Sequence, residues 1–278
     1  MIKRGNLFML ILVLYMMAVG MILSFLRLEI SSYYLNIFLF IISFGLPFLI
    51  YLKVIKAKPQ DILPLKPLGG LNILLIICVS FLFLPLLMAI SAVSSLMFDN
   101  NVELFFDEMA GYSIFHMLIL VALLPAILEE IIFRGIVLSN LKNISIKKAA
   151  CISGLFFALI HMDLQQFLYA FIMGIVFCYM TYYTKSIYAA VLSHFTINAA
   201  MVLLSYTARD VIDYFPIIPA LIVSLPALIM ALKYFISFNN KNVTDEIILY
   251  GNTTEKVLTW EFWVLILVSA IWTAALQF

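Results

Sequence analysis

The sequence predicts an all-α, polytopic transmembrane helix bundle of about eight or nine spans with its N-terminus in the cytoplasm. Three observations carry this. Hydrophobic residues fill 65% of the 278 positions and charged residues only 11%. Apolar runs of about 20 residues recur, the length a helix needs to cross a hydrocarbon core of roughly 30 Å. Lys and Arg gather in alternate loops, as membrane orientation demands. A β-barrel would need period-two alternation, which is absent.

Nine spans follow in order, at about 7–26, 33–52, 71–97, 113–141, 147–162, 165–183, 186–206, 216–238 and 262–277. The first is too long for a signal-peptide core and reads as a retained anchor. The fifth is short and reads as sunk among its neighbours. Pro47, Pro85, Pro125 and Pro226 lie inside spans, where neighbouring helices can satisfy the carbonyls they free. With the N-terminus inside, every one of the 16 basic residues faces the cytoplasm except Arg27, Arg209 and the intramembrane Arg134. The C-terminus is then outside, and the sequons at Asn242 and Asn252 are cytoplasmic and unglycosylated.

The basic, Pro-rich stretch 53–70 reads as a surface loop, and the acidic, aromatic stretch 98–112 as a short interfacial helix. Cys78, Cys151 and Cys178 fall in apolar spans and are expected as reduced, buried thiols. A net charge of +1 gives no reason to expect nucleic acid. The chain divides into a two-span anchor region with its basic loop (1–64), a core (65–210) and C-terminal spans with a polar linker at 239–260. Integral, multi-pass insertion in the cell membrane is expected, with the lipid bilayer as its first partner. Nothing in the sequence speaks to oligomeric state.

The fourth span carries "PAILEEIIFRGI", with Glu129, Glu130 and Arg134 inside oil. Three such charges cost about 7 to 10 kcal/mol at a helix centre. They must therefore face the bundle interior or a wet cavity. Glu130 and Arg134 stand four residues apart and can pair. Glu129 sits about 140° round the helix from Arg134, so it is the freer carboxylate. Taken alone, the triplet also fits a structural ion pair.

Other helices carry polar groups at matching depth. Glu129, His161 and Asn198 each stand 13 positions from Lys142, Lys148 and Lys185, or roughly 20 Å into the membrane. His194 stands one turn from Asn198 on the same face. His116, near the outer end of the fourth span, reads as structural. Singly, His161 fits a helix-end hydrogen bond, and His194 with Asn198 fits interhelical bonding. Together, a carboxylate, two imidazoles and an amide are parts for activating water and stabilising an oxyanion.

The ordered set "EEIIFR" (129–134), "FALIH" (157–161) and "HFTIN" (194–198) resembles the CAAX-protease and bacteriocin-processing (CPBP) family of intramembrane endopeptidases. The resemblance covers about residues 65–210. It implies an endopeptidase acting on hydrophobic peptides or membrane-protein segments through a Glu-activated water. It implies Glu129 as general base, His161 holding or protonating the reacting groups, His194 and Asn198 at the oxyanion, and Glu130 and Arg134 as braces. No cofactor is then required. A zinc-dependent version, with Glu129, His161 and His194 as ligands, stays open. Two non-protease readings also stand: a non-catalytic immunity or scaffold protein binding peptides in the same cavity, and a proton-coupled carrier, for which no repeat symmetry is visible.

Overall fold

The computed structural model describes residues 1–26, 32–207, 217–242 and 256–277. Arg27, Arg209, the sequon at 252 and most of the 239–260 linker, including the rest of the sequon at 242, lie outside them. Ten helices organise the described chain: α1 Ile2–Leu26, α2 Tyr33–Ile55, α3 Gly70–Ser94, α4 Asn101–Glu108, α5 Ile114–Asn140, α6 Ile146–Leu159, α7 Leu164–Thr184, α8 Ile187–Thr207, α9 Ile217–Asn239 and α10 Trp260–Gln277. Among the described residues there is no strand, only an isolated bridge between Leu65 and Ser186. The protein is a polytopic helical membrane bundle.

Seven of these helices are long and apolar enough to cross a bilayer: α1, α2, α3, α5, α7, α8 and α9. The fifth and ninth expected spans are shorter. At 14 residues, α6 is about 21 Å long, less than the roughly 30 Å of a hydrocarbon core. The chain then reverses through Met162, a non-glycine residue at φ 51°. Asp163 caps α7, its Oδ1 accepting from the backbone N–H of Gln165 at 2.8 Å.

Interhelix contacts gather the basic loops at one end of the bundle. Asn143 at the α5–α6 turn reaches Met1. Ile187 at the start of α8 donates its N–H to the carbonyl of Pro64. Asn239 at the end of α9 donates to Asn72 in the first turn of α3. Lys3 lies 3.7 Å from Glu261 at the start of α10. The 53–70 stretch is more than a surface loop, because Leu63 packs onto Gly135 of α5; a Cβ there would come 2.5 Å from Leu63.

Proline chemistry shapes the long helices. In α2 and α5 the backbone widens to π-type turns at Ile41–Gly45 and Leu118–Leu123. Each ends two residues before a proline, Pro47 or Pro125, whose ring nitrogen cannot donate to the carbonyl four residues back. For Pro125 that carbonyl belongs to Val121. A third widened stretch, Ile131–Val137, carries Arg134.

Glycines bring α6 and α7 together. A Cβ on Gly174 would meet the Cα of Gly154 at 2.7 Å, and one on Gly154 would meet the carbonyl oxygen of Phe171 at 2.8 Å. This small-residue contact is a common way to close two membrane helices. The cysteines depart from expectation. Only Cys178 is buried; Cys78 and Cys151 are exposed on the bundle's outer surface. That surface faces hydrocarbon in a membrane, so an apolar span does not imply burial in protein.

Candidate active site

The charged triplet sits at the centre of the bundle. Glu130 and Arg134 are fully buried, with Glu130 Oε2 2.9 Å from Arg134 Nε. The contact is an ion pair rather than an aligned hydrogen bond, since neither atom has a hydrogen-bond partner. Arg134 Nη2 donates to the backbone carbonyl of Gly174 at 3.2 Å. The guanidinium lies 5.3 Å from the ring centre of Phe157 and 5.5 Å from that of Phe177. Two ring faces and a carboxylate thus replace the water a buried Arg would otherwise need.

Glu130 does more than pair with Arg134. Its second oxygen, Oε1, accepts from His194 Nδ1 at 2.9 Å. One carboxylate therefore joins α5 to α8. A carboxylate can only accept, so the Nδ1 of a neutral His194 carries the proton and Nε2 keeps its lone pair. The ring stacks on Phe177 at 5.2 Å. The i,i+4 pairing with Arg134 is legible from sequence; the bridge to His194 is not, because it depends on which helices pack together.

His161 is oriented in the same way by a different acceptor. Its Nδ1 donates to the carbonyl of Phe157 at 2.7 Å, which satisfies a last-turn carbonyl of α6 and leaves Nε2 open. Asn198 Nδ2 donates to the carbonyl of Val121 at 2.9 Å. That is the carbonyl freed by Pro125, so a helix defect on α5 positions an amide on α8. The sequence carries this signal in the Val121–Pro125 spacing. His116 stands apart at the end of α5, bonded to Ser113 and packed on Tyr33.

His161, His194 and Asn198 line one cavity of about 180 Å³. Phe157, Tyr169 and Met173 form much of its apolar wall. Glu129 is 5% exposed and is not among the side chains lining that cavity. Its Oε2 is buried and has no protein partner. The two adjacent glutamates thus differ in kind: Glu130 is held on both oxygens, and Glu129 keeps acceptor capacity.

Residues that the motifs do not mark complete the setting. Gln165, fully buried, donates to Ser91 at 2.7 Å and holds α7 to α3. Ser80 and Ser193 join their hydroxyls at 2.8 Å between α3 and α8. Among the described residues, no three His, Cys, Asp or Glu side chains gather closely enough to hold a metal ion. As placed, Glu129, His161 and His194 do not gather as a zinc ligand set.

Comparison with known proteins concerns the same stretch of the chain. Residues 111–200 match the family described as Type II CAAX prenyl endopeptidase Rce1-like. No curated protein and no solved structure matches the chain. The matched stretch lies inside the 65–210 core and takes in α5, α6, α7 and most of α8. It encloses all three motifs, and over this stretch the chain is similar to the CAAX prenyl endopeptidase family.

Proposed function

We propose that the chain is an endopeptidase that hydrolyses peptide bonds of hydrophobic peptides or membrane-protein segments with a water activated by Glu129. One observation carries the choice of base. Glu129 keeps a buried oxygen without a protein partner, while Glu130 is committed to Arg134 and His194. In this reading the Glu129 side chain turns toward the cavity and takes a proton from water. The water oxygen adds to the scissile carbonyl carbon. The second N–H of the Asn198 amide donates to the charge on the carbonyl oxygen, and Nε2 of His194 joins it when that ring is the imidazolium, its Nδ1–H still held by Glu130. His161 Nε2 accepts a hydrogen bond from the water and orients it. The C–N bond then breaks as Glu129 returns the proton to the leaving amine.

A second reading rests on the cavity wall. His161 lines the cavity with Nε2 open, and Glu129 does not line it. Here His161 is the base and Glu129 takes no part in the proton transfer. Cleavage of a fluorogenic hydrophobic peptide by purified, detergent-solubilised protein separates the two. Under the first reading Glu129→Gln lowers turnover by about 10²–10⁴ while the unfolding temperature holds. Turnover near wild type in Glu129→Gln, with complete loss in His161→Ala, selects the second. Peptide binding without cleavage by the wild-type protein would make the chain a binding or immunity protein.

A further inference from the structure

A second, larger cavity of about 660 Å³ adjoins the first. The two share Met88, Ser91, Val102, Phe106 and Met201 as walls. Val102 and Phe106 belong to α4, so this short amphipathic helix forms part of the partition between them. The remaining walls of the larger cavity come from one end of the bundle. Ser95 and Asn100 flank the α3–α4 turn, and Ser205 lies in the last turn of α8. Ser205 is 18 positions beyond Ile187, which is bonded to the basic 53–70 stretch, a rise of roughly 27 Å. The larger cavity therefore stands at the end opposite the basic loops.

The two ends differ in charge. The contacts among Met1, Pro64, Asn72, Asn143, Ile187 and Asn239 put the basic loops together. The stretch 98–112 around α4 holds Asp99, Glu103, Asp107 and Glu108 and neither Lys nor Arg. Loops rich in Lys and Arg stay in the cytoplasm.

On these grounds we infer that peptides reach the candidate site from the non-cytoplasmic face, through the vestibule bordered by α4, and that its substrates are hydrophobic peptide segments presented outside the cytoplasm. The inference rests on the peptidase reading above and adds the side and class of substrate. The vestibule suits such a segment. Met88, Phe106 and Met201 offer apolar contact, while Ser95, Asn100 and Ser205 are hydrogen-bonded within the protein, so the walls would hold a segment mainly by its apolar side chains.

Cysteine labelling tests the side. In a chain carrying Cys78→Ala, Cys151→Ala and Cys178→Ala, Ser205→Cys is expected to react with a membrane-impermeant maleimide in intact cells. Lys58→Cys is expected to react only after permeabilisation. Ser95→Cys repeats the test from α3 should Ser205→Cys fail to fold. The reverse pattern overturns the inference and leaves the peptidase reading intact. A second arm uses the purified Ser205→Cys protein and the fluorogenic peptide. A bulky maleimide on that cysteine is expected to lower cleavage at least about tenfold, by blocking approach; unchanged cleavage removes the vestibule as the route. Absence of cleavage by unlabelled wild-type protein would instead strike the peptidase reading.

Discussion

Glu130 Oε1 lies 2.9 Å from His194 Nδ1, while Glu130 Oε2 lies 2.9 Å from Arg134 Nε. A single fully buried carboxylate therefore holds a cation on its own helix and an imidazole on another. The two contacts have different energetic consequences. Removing the charge leaves Arg134 buried without a counter-ion, whereas removing the imidazole leaves a carboxylate still paired to Arg134.

Glu130→Gln should thus destabilise the bundle by about 3–5 kcal/mol, the usual cost of stranding one partner of a buried pair. His194→Ala should cost less, about 1–3 kcal/mol for one unsatisfied hydrogen bond. Thermal unfolding in detergent measures both. Equal, small effects would show that Glu130 is not the junction of the two helices.

Asn198 and Pro125 should be energetically coupled through Val121. Alanine at 125 restores a backbone N–H that can compete for the Val121 carbonyl. A double-mutant cycle of Pro125→Ala and Asn198→Ala should give a coupling energy of about 0.5–3 kcal/mol. Strict additivity would break the proposed link. Asn198→Ala alone should also lower the cleavage rate by about 10²–10³, the loss expected for one oxyanion donor.

The contact between α6 and α7 should tolerate no side chain. Gly174→Ala forces its Cβ against Gly154 and should cost about 1–3 kcal/mol through overpacking. Gly174 also supplies the carbonyl that Arg134 reaches, so the same substitution should lower activity. Gly20→Ala, whose Cβ would have nothing within 4 Å, is the control and should leave the unfolding temperature in place.

Cleavage should persist in a strong chelator, and purified active protein should hold far less than one zinc per chain. Chelator-sensitive activity, restored by zinc, would mean that the donors regroup in the working protein.

Helix identity was legible in the sequence because hydrocarbon imposes one solution on a long apolar run. The Glu130–Arg134 pair was legible because both residues lie on one helix at a fixed spacing. The role of α4 as an amphipathic element was legible in its mix of acids and aromatics. What the sequence withheld lies between helices. The bond from Glu130 to His194, the stack of Phe177 on that ring and the Gly154–Gly174 approach all depend on packing partners that no local pattern names. The exposed Cys78 and Cys151 mark the opposite failure: in a membrane, hydropathy reports burial in lipid and in protein alike. The position of Glu129 off the cavity wall likewise follows from side-chain direction, which helix geometry alone leaves open.

The reversal at Met162 bears on how the chain is made. A helix of 14 residues followed by a tight turn leaves the insertion machinery only a very short loop to carry across. Residues 146–184 should therefore enter as one hairpin, lowered among helices already in place. A nascent chain halted just after His161 would hold a partial hairpin with nowhere stable to rest, so reporters fused there would misstate the arrangement of the finished protein.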